Sequence, residues 1–304
     1  MRSNATSIRS LKATGCPGMP LVYHADAGGD SQPGVIVLED LSRKCGTLEL
    51  SGGATIEQCW SVLRLLARLQ IHMEYASKKE WKGRFKEQSH CTTFFDSFFN
   101  GFLPLVRKEH PDFIPLIEGM AAISTPEFAR YALLDRPLGL EAVGFNHGDC
   151  WVNNVLFEKN ADGSLTNNAR FLLDWQMAFE GNPLFDFARF LTIAADAEVR
   201  RVVQPTAAER FHEMLTEEKR KATGDPQATV RWRREDLREL FDLAYLQQST
   251  LFLIAPAFTR LAAVEGEAEG VVAARVEKVK LRAKLNCEDV FPLIKKHKLD
   301  EKFR

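Results

Sequence analysis

Four residues stand at spacings that could do chemistry together: His147, Asp149, Asn154 and Asp174. Asp149 and Asn154 bracket a tight loop that runs into the apolar stretch Val155-Leu156-Phe157. Asp174 ends a second apolar stretch, Phe171-Leu172-Leu173, and the turn sequence Asn160-Ala161-Asp162-Gly163 lies between the two. Paired as a hairpin, these strands bring two carboxylates and an amide to one end. An oxygen-only donor set of this kind suits Mg²⁺, which takes one or two protein carboxylates and then recruits substrate phosphates. The chemistry that needs this set is phosphoryl transfer. The protein must orient a hydroxyl, accept its proton and hold the metal that bridges the phosphates. Read singly, Asp149 could cap a turn and Asn154 could be a turn residue; read together, they make a site. Cys150 has no activating neighbour and reads as a packed neutral thiol.

The elements that position these residues are legible from periodicity. Pro20–Tyr23 and Val35–Leu38 read as short strands, joined by a Gly/Asp/Ser-rich hairpin loop over 25–34. Ile56, Trp60, Leu63, Leu66, Ala67 and Ile71 recur at helical spacing and predict a helix over 55–76. Phe94, Phe95, Phe98, Phe99 and Phe102 form one apolar face over 92–106, which reads as core packing. A short helix is expected from Pro126 to Leu134. Strand-like runs are expected at 142–145, 155–157 and 171–173, and helices near 206–222, 235–262 and 267–286. The order is a small β-rich start, a helical stretch, a central hairpin and a helical tail, an α+β arrangement with two lobes.

The local sequences carry a resemblance. HGDCWVNNVLF (147–157), LLDWQ (172–176) and GNPLFDFARFL (181–191) fit the kinase template His-x-Asp-x-x-x-x-Asn followed by a metal-binding Asp. His-Gly-Asp, in place of His-Arg-Asp, resembles the aminoglycoside phosphotransferase and choline kinase branch of the kinase-like superfamily. Within it the chain is most similar to the CHK kinase-like, or ecdysteroid kinase-like, family, with PLVYHA (20–25) and VIVLEDL (35–41) resembling the end of the N-lobe and the hinge. The resemblance covers roughly residues 17–200. It implies a protein-kinase-like two-lobe fold with a truncated β-rich N-lobe, residues 1–41 being N-lobe remnant and hinge and residues 42–304 a mainly helical C-lobe. It also implies ATP and Mg²⁺ as cofactors. Asp149 would be the base toward the acceptor hydroxyl, and Asn154 and Asp174 would hold Mg²⁺. His147 would brace the loop and Asp186 would anchor it. Leu38, Glu39, Asp40 and Leu41 would meet adenine through backbone groups. The acceptor would be a small hydroxylated molecule, with a steroid alcohol the first guess; a choline- or aminoglycoside-type acceptor is the rival.

One part of the template is missing. A kinase N-lobe supplies a phosphate-covering loop, a strand lysine and a helix glutamate. Before Glu39 the only lysine is Lys12, no glutamate occurs, and Gly28-Gly29 sits in the hairpin loop. The chain reads as a truncated form of an active enzyme, with a catalytically dead binding or scaffold protein as the alternative.

Composition excludes other classes. The 304 residues carry 40 basic and 41 acidic side chains, which leaves no basic field for nucleic acid. No apolar run approaches the ~18 residues of a membrane span. Six cysteines without a C-x-x-C pair or a secretory signal fit a reducing compartment. The chain is expected to be cytoplasmic, the basic first 24 residues leaving a mitochondrial address as the alternative. The oligomeric state is left open.

Overall fold

The structure, a computed structural model, describes residues 2–29, 32–76, 81–85, 99–257 and 267–303. The chain opens with helix α1 (Arg2–Thr14) and the antiparallel hairpin β1 (Val22–Asp26) and β2 (Val35–Leu38). The first strand lies two residues later than the sequence pattern suggests. The polar start is helical, burying Ile8 and Leu11. A two-residue strand β3 (Cys45–Gly46) precedes α2 (Ile56–Tyr75).

Helix α2 starts where a capping box forms. The Thr55 hydroxyl accepts the Gln58 N–H at 3.1 Å, and the Gln58 side chain accepts the Thr55 N–H at 2.9 Å. Its apolar stripe from Cys59 to Met73 is buried in the main core. Of the phenylalanine face expected over 92–106, residues 92–98 lie outside the described residues. Phe99 is buried, and Phe102, in α3 (Asn100–Glu109), packs partly buried on the core.

Short turns follow: α4 (Ile114–Gly119), α5 (Pro126–Arg130), a π-helical turn Tyr131–Asp135 and α6 (Arg136–Gly139). The middle of the chain is three strand pairs. β4 (Gly144–Asn146) pairs with β7 (Phe179–Gly181), and β5 (Val155–Lys159) lies between β3 and β6 (Leu165–Leu172). All pairings are antiparallel, and Val155 stands opposite Leu172.

The rest is helical: α7 (Phe185–Ala194), α8 (Ala197–Val203), α9 (Ala207–Thr223), α10 (Arg234–Phe252), α11 (Glu269–Lys296) and α12 (Leu299–Lys302). Helix α10 stops at Phe252, a turn at 253–254 separates it from helical residues 255–257, and residues 258–262 of the expected helix lie outside the described residues. Helix α11 runs ten residues past the expected 286, continuing through Pro292. Eight of the ten residues of α7 are buried, so α7 is a central core helix walled by α2 and α10.

Buried polar side chains stitch this architecture to β4 and β7. The Gln70 amide on α2 donates to the Phe145 carbonyl and accepts the Phe145 N–H at 3.0 Å, closing the free edge of β4 as a strand would. Asn182 donates from Nδ2 to the Ala132 and Leu240 carbonyls at 3.1 and 2.8 Å, while its Oδ1 accepts the Leu184 N–H. Its own N–H donates to Leu133 O, so the π turn is tied to the segment that launches α7.

Replacing Gln70 by Leu orphans a buried N–H and a buried carbonyl in β4. At roughly 1–3 kcal/mol for each unsatisfied group, the variant is expected to lose at least about 2 kcal/mol in urea unfolding. A loss below about 0.5 kcal/mol would show that the β4 edge does not depend on this amide.

Candidate active site

The loop 147–154 leaves β4 and re-enters the fold as β5. Gly148 has φ +87°, a left-handed conformation that costs glycine little and other residues much. This turn aims two successive N–H groups inward at one carboxylate. Asp186, in the first turn of α7 and 1% exposed, accepts from His147 N at 2.6 Å through Oδ2 and from Gly148 N at 2.9 Å through Oδ1. Burial pushes this carboxyl up to about 7, while the Gly148 and His147 amides and nearby Arg189 act to lower it.

His147 ties the loop to the next segment. Its Nδ1 accepts the Asp149 N–H at 3.2 Å, so Nε2 carries the proton and donates to Leu173 O at 2.8 Å. The ring is wholly buried and edge-on to Trp175, with centroids 4.6 Å apart. Burial holds the imidazole neutral and brings its pKa down to about 4. Asn154 grips the same segment from the other end of the loop, its carbonyl accepting the Leu173 N–H at 2.9 Å. Leu173 is thus held at both peptide groups, which places Asp174.

Asn154, Asp149 and Asp174 are brought together at the end of the β5–β6 hairpin. Asn154 donates from Nδ2 to Asp149 O at 2.9 Å and to Asp149 Oδ2 at 3.0 Å. Both partners are acceptors, which fixes the orientation of the amide and turns its carbonyl oxygen away from Asp149. Asp174 has φ +62° and leads into the turn Trp175–Met177, with its Oδ2 accepting Gln176 Nε2 at 3.1 Å. Burial and the charge of Asp149 raise its pKa above the usual carboxylate range, against a Gln176 backbone hydrogen bond that lowers it. The Asp174 carboxylate, whose proton affinity the nearby Asp149 charge helps to raise, and the Asn154 amide oxygen are hard oxygen donors of the kind a divalent cation takes. Among the described residues no group of three His, Cys, Asp or Glu side chains offers an alternative metal site.

Of Leu38 to Leu41, the residues expected as a hinge, Leu41 is the one that reaches the neighbourhood of Asp174. Leu38 ends β2, Glu39 N–H donates to Leu21 O at 2.9 Å, and Asp40 Oδ1 accepts Ser42 N–H at 2.9 Å. Leu41 joins Cys45 and Leu156 in a small apolar cluster apart from the main core, with Phe171 and Leu173 packed against it. The cluster therefore adjoins Asp174 through Leu173. Among the described residues the Asp40 and Leu41 N–H groups meet no acceptor. Lys12 is exposed in the last turn of α1. Cys150 is one of five described cysteines, all buried free thiols, and burial pushes its pKa far up.

The sequence motifs did not reveal Arg189. It stands three residues after Asp186, so both face the loop from α7. It donates to Asp149 Oδ1 from Nη2 at 2.6 Å and from Nε at 3.1 Å, and from Nη1 to Gln248 Oε1 at 3.1 Å. The i, i+3 spacing in DFAR was the available signal, but it does not say which carboxylate the arginine meets.

The fold is that of the kinase-like small-molecule phosphotransferases. A structure assigned as an aminoglycoside phosphotransferase from Ralstonia eutropha JMP134 matches at a TM-score of 0.51 and 12% identity, covering 94% of this chain and 82% of that one. Choline kinase from Cryptosporidium parvum Iowa II matches at 0.50 and 12% identity, covering 96% of this chain and 77% of that one. At this identity the likeness is one of fold. No curated protein matches the chain by sequence. The family model DUF1679, described as "Uncharacterized oxidoreductase dhs-27", matches residues 27–298, and the chain belongs to that family. Among the described residues no helix is long and apolar enough to cross a membrane.

The neutral state of His147 has a measurable consequence. Its folded pKa of about 4 lies below the 6.5 of an unfolded histidine. Its contribution to stability is complete above pH 6.5 and is lost as pH falls toward 4, because the unfolded chain takes up the proton first. A His147→Asn variant lacks this term. Its stability deficit relative to the parent is expected to narrow by about 2 kcal/mol between pH 7 and pH 5 in urea unfolding. A deficit that stays constant would contradict a buried neutral imidazole.

Proposed function

We propose that this chain is an ATP- and Mg²⁺-dependent phosphotransferase acting on a hydroxyl of a small molecule. The observation that supports it most directly is the junction at Leu173. It places Asp174 beside Asn154 and Asp149 at one end of a hairpin, next to an apolar cluster with two unaccepted hinge amides. In this reading residues 1–41 form the small lobe and hinge and residues 42–304 the large lobe.

The residues divide the work. Leu41, Leu156 and Phe171 form an apolar floor for the adenine ring, and the hinge amides supply donors to it. Asn154 Oδ1 and the Asp174 carboxylate hold Mg²⁺, which when bound neutralises charge on the transferred phosphoryl group. Asp149 orients the acceptor hydroxyl and takes its proton. His147 stays neutral and holds the loop, taking no part in proton transfer.

The acceptor class follows from the fold's small-molecule kinases. The motif resemblance to ecdysteroid kinase-like proteins makes steroid alcohols the first acceptors to test, with choline and aminoglycosides as the rivals. A second reading, nucleotide or ligand binding without transfer, is favoured by the position of Lys12, exposed on α1 and not on a strand.

Purified protein incubated with ATP, Mg²⁺ and a panel of steroid alcohols, choline and aminoglycosides is expected to release ADP in step with acceptor phosphorylation. Asp149→Asn should lower turnover by at least about 100-fold, with the fold intact by circular dichroism. Nucleotide binding without ADP release would favour the second reading. Oxidation of a nicotinamide cofactor, with no ADP release, would overturn both.

A further inference from the structure

We infer that Arg189 is the positioning residue of Asp149, selecting the carboxylate oxygen that takes the acceptor's proton. The inference rests on the phosphotransferase reading and deepens it. Both Arg189 bonds to Asp149 fall on one atom, Oδ1, at 2.6 and 3.1 Å. Asn154 Nδ2 donates to the other oxygen, Oδ2, at 3.0 Å. The two oxygens are thereby unequal, one against a full cation and the other against a neutral amide. A proton added to Oδ1 would be set against the guanidinium. A proton added to Oδ2 leaves the charge-assisted pair intact.

The arginine is itself held. Its side chain is 11% exposed, against 20% for Asp149, and its third donor meets Gln248 Oε1 at 3.1 Å. Gln248 is buried on α10 and donates in turn to Gln247 Oε1. The guanidinium is therefore anchored by its own helix, α7, and by a second one, α10. A planar fork fixed at both ends sets the rotation of the carboxylate about its Cβ–Cγ bond, which a lysine cannot do. Asp186, one turn earlier on α7, holds the backbone of the same loop. One rigid helix thus positions the loop through its main chain and the base through its side chain.

The step is a simple transfer. The acceptor O–H bond breaks as the O–P bond forms, the proton moves to Asp149 Oδ2, and ADP leaves with the bridging oxygen's electron pair. Arg189 exchanges no proton.

The test uses the full chain with MgATP and measures ADP release, with the best acceptor of the panel or with water as acceptor. Arg189→Ala is expected to lower kcat by about 100-fold with KM for ATP changed less than about threefold. Arg189→Lys should recover only part of the loss. Millimolar guanidinium, below denaturing levels, should raise the kcat of Arg189→Ala at least about tenfold and leave Asp149→Asn unchanged. Thermal melts of each variant identify loss of fold. An Arg189→Ala variant that melts as the parent does and turns over equally well would overturn this inference and leave the phosphotransferase reading standing. So would an equal loss of kcat in folded Arg189→Ala and Arg189→Lys that guanidinium does not rescue. A parent with no ADP release overturns both.

Discussion

Two backbone N–H groups donating to one buried carboxylate set the geometry of the whole centre. The His147 and Gly148 amides point inward because Gly148 adopts φ +87°, and Asp186 receives both. Without that acceptor the two amides would be buried and unpaired, each costing roughly 1–3 kcal/mol. The carboxylate in turn is buried enough to be pushed toward neutral pH, so it depends on those amides as much as they depend on it. This reciprocal need fixes the loop against α7. From there His147 and Asn154 clamp Leu173 at its carbonyl and its N–H, and Asp174 follows.

The supporting shell extends outward by the same logic. β4, which leads into the loop, has its edge closed by Gln70 of α2. The segment leading into α7 is held by Asn182, which reaches the π turn and α10. Each of these amides satisfies both a donor and an acceptor of a neighbouring main chain. They use burial to fix orientation, which is what a site that must hold several oxygens in set positions requires. The mechanical result is that α2, α7 and α10 all bear on a loop of eight residues.

Much of this was legible from the sequence, and the reason is locality. Asp149, Asn154 and the Val155 strand are consecutive, and the turn at 160–163 forces the partner strand back to Asp174, so the spacing carries the geometry. The helix over 55–76 showed itself through its apolar stripe and ends within a residue of the structure. What was hidden is tertiary. Whether Arg189 meets Asp149, Asp186 or solvent depends on where α7 lies against the loop, and the i, i+3 pattern does not encode that. Strands β3 and β7 are two and three residues long, too short for any periodicity. The break of α10 after Phe252 and the passage of α11 through Pro292 are set by packing, which overrides the local propensities on which the helix ends were placed.

Calorimetric titration of ATP into the protein, with and without Mg²⁺, reads out whether Asn154 and Asp174 bind metal together with nucleotide, as proposed. Mg²⁺ is expected to tighten ATP binding at least about tenfold, and Asp174→Asn to abolish this enhancement while the variant still binds adenosine as the parent does. ATP binding that is indifferent to Mg²⁺, or an enhancement that survives in Asp174→Asn, would contradict the proposal.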